Sequence, residues 1–192
     1  VYYFSAYCDL LNSGSIHAGD EMNVVVPTGN FGNILACYYA KRMGLPVKKL
    51  VCASNSNNVL TDFLTTGTYD KNRAFYTTTS PSMDILISSN LERLLYHLSG
   101  NDDALINDLM RRLSENGVYT VSESLLAEIQ KHFSAGFAEE SEVNETIKAY
   151  FDQFGYLCDT HTAVALKVYG DYVKNTGDDI PTVIDSTASP YK

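Results

Sequence analysis

Apolar residues recur along this chain in two alternating rhythms: short β-branched runs, and longer stripes spaced three and four residues apart. The short runs predict strands at 23–26, 49–53 and 180–185, with a further short strand at 118–121. The stripes predict helices. The first joins Tyr3, Ala6, Tyr7, Leu10 and Leu11 and stops at Gly14. A second, over 33–43, is apolar nearly all round (Ile34, Leu35, Ala36, Cys37, Tyr38, Tyr39, Ala40, Met43), so it is expected to be well covered, with Gly44 and Pro46 as its stop. Residues 57–66 predict a helix ending at Gly67. Leu91, Leu94, Leu95 and Leu98 keep helical spacing up to Gly100. Leu105, Leu109 and Leu113 form a stripe with Asp102 or Asp103 as N-cap. Leu125, Ile129 and Phe133 mark the next helix. Val143, Ile147, Tyr150, Phe151 and Phe154 mark a longer one, capped by Ser141 and stopped by Gly155. The last begins at a capping Asp159 and runs through Ala163, Val168 and Tyr172. Residues 68–82 have no period and are expected to be loop. Strands separated by helices imply an α/β fold: an open, mainly parallel sheet flanked by helices.

Composition narrows the function classes. At 192 residues, 45% hydrophobic and 19% charged, the chain has an ordinary globular balance for one domain or a little more. A net charge of −9 disfavours nucleic acid or an anionic membrane as partner. No apolar run reaches the roughly 18 residues of a membrane helix, and no signal-peptide pattern is present, so a cytoplasmic location is expected. Cys8, Cys37, Cys52 and Cys158 form no Cys-x-x-Cys and sit beside apolar residues, as reduced and mostly buried thiols do. The four histidines show no zinc spacing, so no metal is expected. The chain opens inside a helical pattern and ends just after a strand, so it is expected to be a piece of a longer protein, its sheet layer having one apolar face uncovered, with apolar surface near the first helix and the final strand.

One stretch carries candidate chemistry. "VVVPTGNFGNILACYYAKR" runs from a strand straight into a helix through Gly29, Asn30, Phe31, Gly32 and Asn33. A helix N-terminus offers unpaired N–H groups and the positive end of the dipole, glycines let a ligand approach the backbone, and asparagine tolerates left-handed geometry. The residues therefore suit a phosphate cradle, although a Gly-x-x-Gly turn before a helix also serves as a plain tight connection. The pattern is neither the dinucleotide Gly-x-Gly-x-x-Gly nor a Walker loop.

The wording of that region, "PTGNFGNILACYYAKRMGLPVKKLVCASNSNNVLTDFLTTGTY", resembles the threonine synthase family, fold-type-II enzymes that use pyridoxal 5'-phosphate. The resemblance continues through "SPSMDILISSNLERLLYHLSG" at 80–100, "DTHTAVALKVYGDY" at 159–172 and "IPTVIDSTASPYK" at 180–192. It implies the larger, cofactor-phosphate-binding domain of an enzyme that converts O-phosphohomoserine and water to threonine and phosphate. It implies that Gly29, Asn30, Phe31, Gly32 and Asn33 hold the cofactor phosphate, and that Thr187 in "DSTASP" faces the pyridine nitrogen.

The departures are specific. The family's Schiff-base lysine stands in a Phe-Lys-Asp type motif upstream of the glycine loop, whereas no lysine here is followed by Asp and the first, Lys41, lies beyond the loop. The resemblance therefore implies that the covalent anchor and the smaller domain belong to an N-terminal segment outside residues 1–192, and that this chain is inactive by itself. Many members have a histidine where this chain has Ser189. Asn55 and Asn57 stand after the second strand as either ligand contacts or turn residues. Asp84 is read as a cap for the helix leading into Leu86 or as a substrate-side carboxylate, and His161 as a first-turn structural residue or a substrate contact. A non-catalytic phosphate- or pyridoxal-binding module and a serine or threonine dehydratase are the alternative functions.

Overall fold

The computed structural model describes residues 1–191. Its order is α1 (Tyr2–Asn12), β1 (Met22–Pro27), α2 (Gly32–Arg42), β2 (Val47–Ser54), α3 (Val59–Thr66), β3 (Thr68–Asp70), a 3-10 turn at Pro81–Met83, α4 (Leu91–Leu98), α5 (Asp103–Asn116), β4 (Val118–Thr120), α6 (Glu123–His132), β5 (Phe133–Phe137), α7 (Glu140–Phe154), α8 (Thr160–Thr176) and β6 (Thr182–Ile184). Four strands form a parallel sheet in the order β5-β2-β1-β6.

The two central strands are buried on both faces, which is why their sequences read as continuous apolar runs rather than alternating ones. Val24, Val26, Leu50 and Cys52 point to the side packed by α1 to α6. Val25, Val51 and Ala53, one residue out of phase, meet Val164, Ala165 and Val168 of α8 and Val143 of α7. Helices thus cover both faces of the central strands, contrary to the expectation of an uncovered face. What stays open is the edge: β6 has no fully buried side chain, and Phe151, Phe154, Tyr156 and Leu157 around the end of α7 are 46–62% exposed.

Several sequence-based expectations are corrected. The segment 68–82 is not all loop: Thr68–Asp70 pairs antiparallel with Val118–Thr120, and Tyr69 stacks on Tyr119 at 5.4 Å between ring centroids. Phe133 is not the last rung of the α6 stripe but the first residue of β5, pairing with Leu50. A buried ring at i+4 from Ile129 satisfies the helical period whether or not the helix continues, so spacing alone could not tell the two apart. The cap of α7 is Glu139, in a reciprocal capping box with Glu142, rather than Ser141, which lies inside the first turn. The cap of α5 is Asp102, whose carboxylate accepts from the Leu105 N–H at 2.9 Å. Met43 is 75% exposed, so the outer end of the second helix is not covered.

Candidate functional site

The glycine loop follows β1 at the carboxyl edge of the parallel sheet, the edge where open α/β sheets bind ligands. β6 is the parallel neighbour of β1, and Thr187 follows it at that same edge, with its side chain exposed. Asn55 follows β2 there too. The topology therefore gathers Gly29–Asn33, Asn55 and Thr187 from three separate parts of the chain.

Phe31 is the pivot of the loop. It takes a left-handed backbone (φ 64°, ψ 0°) as N-cap of α2, and neither Gly29 nor Gly32 has a positive φ. Sequence reasoning assigned the unusual backbone to glycine and asparagine. The structure gives it to a phenylalanine, held there because the ring is 1% exposed and packs on Phe133 at 5.7 Å. Such a conformation costs roughly 1–3 kcal/mol and persists only where packing enforces it.

The glycines serve close approach. A Cβ on Gly29 would lie 2.6 Å from the Ser82 carbonyl oxygen and 3.3 Å from the Met83 Cα. The segment 88–90 staples the other side of the loop. Ser88 Oγ donates to the Gly29 carbonyl at 3.0 Å, Asn90 Nδ2 donates to the Asn30 carbonyl at 2.8 Å, and the Ser89 N–H donates to Asn30 Oδ1 at 3.2 Å. With its carbonyls occupied, the loop leaves its N–H groups outward: none from Gly29 to Ile34 meets an acceptor among the described residues. The first turn of α2 carries no acidic side chain and no side-chain cap. Asn30, Gly32 and Asn33 are exposed. This arrangement fits a phosphate dianion: a row of free donors on a helix dipole, worth about 0.3–1 kcal/mol at a surface and about 2 kcal/mol when partly buried.

Asn55, Asn57 and Asp84 come together, but as a clamp on the loop at 76–84. Asp84 Oδ1 accepts from Asn55 Nδ2 at 2.8 Å, Asn57 Nδ2 at 2.9 Å and Thr78 Oγ1 at 2.7 Å, and Oδ2 accepts from the Thr78 N–H at 2.9 Å. Asp84 opens no helix; it closes the 3-10 turn at Pro81–Met83, and the next helix starts at Leu91 after Asn90. The amides of Asn55 and Asn57 are buried within this network. His161, also buried, spans the first turn of α8. Its Nδ1 lies 3.2 Å from Asp159 Oδ1, and its Nε2 accepts from the Ser82 N–H at 3.3 Å. Accepting at Nε2 places the ring proton on Nδ1, facing Asp159. Burial would raise the Asp159 carboxyl, but hydrogen bonds from the Thr162 hydroxyl and from the Thr162 and His161 N–H groups carry it below its ordinary range. His161 thus holds the Ser82 turn that presses on Gly29.

Ser82, the 88–90 staple, Tyr3 and Asp185 escaped notice in the sequence. The signal available for the first two was the string "SPSMDILISSN", whose order has no generic folding reason. A cleft of about 520 Å³ lies elsewhere, between α2, α4 and α5, lined by Tyr39, Arg93, Tyr96, His97, Ile106 and Met110 among others. The described residues hold no group of three His, Cys, Asp or Glu that could take a metal ion, and no helix long and apolar enough to cross a membrane.

No protein-family profile matches the chain. Individual relatives do. The human protein "Threonine synthase-like 1" is 46% identical over 189 residues, 98% of this chain and 25% of that protein. A pyridoxal-phosphate-bound threonine synthase from Brucella melitensis superposes with a TM-score of 0.89 at 42% identity, covering 98% of this chain and 39% of that one. Yeast threonine synthase gives the same TM-score of 0.89 at 35% identity, covering 99% and 40%. The chain therefore spans between a quarter and two fifths of the proteins it matches.

Proposed function

We propose, from the premise that this chain belongs to the threonine synthase family of fold-type-II pyridoxal-phosphate enzymes, that it is the phosphate-holding part of the larger domain of such an enzyme. The whole enzyme would convert O-phosphohomoserine and water to threonine and phosphate in the cytoplasm. The observation that carries this reading is the row of unpartnered N–H groups from Gly29 to Ile34, beside an exposed Thr187 at the ends of two adjacent parallel strands.

Bound pyridoxal 5'-phosphate would supply the electron sink at the substrate's α-carbon. The chain's own residues have simpler tasks. The N–H groups of Gly29 to Asn33 bind the phosphate through the backbone, since no lysine or arginine lies in the loop. Thr187 presents a neutral hydroxyl toward the ring nitrogen, which orients the ring without forcing a full proton onto it. Asp84, Asn55, Asn57 and His161 keep the 76–84 segment in place behind the loop. The lysine anchor and the smaller domain are assigned to the part of the family's length that this chain does not span, and the isolated chain is expected to be inactive.

The test is cofactor titration of the full-length protein. Gly32→Val should weaken pyridoxal-phosphate binding far more than Lys41→Ala, because Lys41 is committed to the Lys48 carbonyl at 2.8 Å near the far end of α2. Equal losses would mean that the loop is only a connection. Thr187→Asp should change the bound cofactor's absorption spectrum and divert turnover to side products; an unchanged spectrum with normal turnover would remove Thr187 from the site.

A further inference from the structure

We propose that Tyr3 is a positioning residue that, through Asn33 and Asp185, braces the start of α2 against the end of β6, so that one ring of contacts sets the phosphate end of the cofactor site. The inference rests on the reading of the loop given above and adds to it a residue from the first helix.

All three contacts of the ring lie within this chain. The Tyr3 hydroxyl lies 2.7 Å from Asn33 Oδ1 and 3.0 Å from Asp185 Oδ2, and Asn33 Nδ2 donates to the same Asp185 oxygen at 2.5 Å. A phenol has one hydrogen, so it donates to one oxygen at a time; the shorter contact is to Asn33. Tyr3 is 7% exposed. Burial and the neighbouring Asp185 carboxylate push its phenol well above the ordinary range, so it remains a donor. These contacts bridge 30 residues in one direction and 182 in the other, which no local folding requirement demands.

Each member of the ring is anchored at a different place. Tyr3 sits on α1, which packs on α2. Asn33 is in the first turn of α2, with its N–H among the free donors of the loop. The Asp185 N–H donates to the Val25 carbonyl at 2.9 Å, extending the pairing of β6 with β1, and Thr187 lies two residues further on. The ring therefore fixes the start of α2 against the end of β6. Without it, no side-chain hydrogen bond among the described residues joins the loop beyond Phe31 to the segment after β6; Ser186 is held instead by the Thr162 hydroxyl of α8 at 3.1 Å. Asp185 also brings a negative charge near an anion site, and the hydrogen bond it receives from Asn33 Nδ2 offsets part of that charge.

The experiment is titration of the cofactor-free full-length protein with pyridoxal 5'-phosphate and, separately, with pyridoxal, which lacks the phosphate. Tyr3→Phe should raise the dissociation constant for pyridoxal 5'-phosphate about tenfold, the upper end for one hydrogen bond between neutral groups. It should leave that for pyridoxal within about twofold. Asp185→Asn, which keeps the shape of the ring with a weaker acceptor, should show the same selective loss and covers the case in which Tyr3→Phe folds poorly. Unchanged binding of pyridoxal 5'-phosphate in both variants, while Gly32→Val weakens it, would overturn the tether and leave the loop assignment standing. Equal losses for the two ligands would also overturn it, since Tyr3 would then act on the fold alone. If Gly32→Val itself binds normally, the phosphate-loop reading fails, and the tether with it.

Discussion

The Ser82 carbonyl oxygen lies 2.6 Å from where a Cβ on Gly29 would stand, so the glycine loop and the turn at 80–83 meet backbone to backbone. Two segments separated by more than fifty residues thereby share one surface. The turn is held from behind by His161 through the Ser82 N–H and by the Asp84 network just after it.

Gly29→Ala should therefore be destabilising by about 1–3 kcal/mol, because the new methyl meets backbone that cannot swing aside. Gly170→Ala is the contrast: its Cβ would meet nothing within 4 Å, and it lies inside α8, where alanine is favoured by roughly 0.5–1 kcal/mol. Thermal melting should show opposite shifts. A Gly29→Ala protein as stable as wild type would mean that the turn yields without cost.

Asp84→Ala should remove the shared acceptor of Asn55 and Asn57, whose amides are 0% and 3% exposed. An unsatisfied buried donor costs about 1–3 kcal/mol. For a domain of this size that corresponds to a fall in melting temperature of roughly 2–12 °C. Asp84→Asn keeps one acceptor oxygen and should lose less. Hydrogen exchange at the Thr78 N–H, bonded to Asp84 at 2.9 Å, should quicken in the alanine variant.

Thiol labelling should divide the cysteines by burial. Cys8 is exposed, whereas burial pushes the Cys37 and Cys52 thiols up to about 12, with Asp185 adding to the effect at Cys37. At pH 8 in native conditions, Cys8 should react within minutes, while Cys37 and Cys52 should require unfolding. Mass mapping of the labelled peptides checks the order; rapid native labelling of Cys52 would contradict the packing of β2.

Acid stability should show the signature of Asp178. Burial raises its carboxyl, but the Tyr172 hydroxyl at 2.7 Å, Lys48 at 3.0 Å and Asn23 Nδ2 at 3.2 Å win, and it falls from 3.8 to about 2. A carboxyl depressed in the folded state adds stability that is complete above the unfolded value and is lost as pH falls through the folded one. That contribution should disappear between about pH 4 and pH 2. Asp178→Asn should be less stable at neutral pH and flatter across that window in denaturant titrations.

The sequence by itself determined the parallel α/β architecture, because strands buried on both faces must be apolar throughout and helices on one face must be periodic. It also placed the glycine turn between β1 and α2, since the strand, the two glycines and the helix follow one another in the chain, and the capping of α8 by Asp159, since a cap is a local contact. Only the tertiary structure decided where the strain of the loop falls. Phe31 takes the left-handed turn because its ring is trapped against Phe133, a residue 102 positions away that the helical spacing had assigned to α6. Only the tertiary structure made Asp84 a hub rather than a cap, and joined Tyr3 to Asp185, since the geometry of a hydrogen bond between distant segments follows from how the layers pack and leaves no period in the chain. The same reason explains the missed β3–β4 pair: a three-residue strand has no period to read, and its partner across a long connection is chosen by the stacking of Tyr69 on Tyr119.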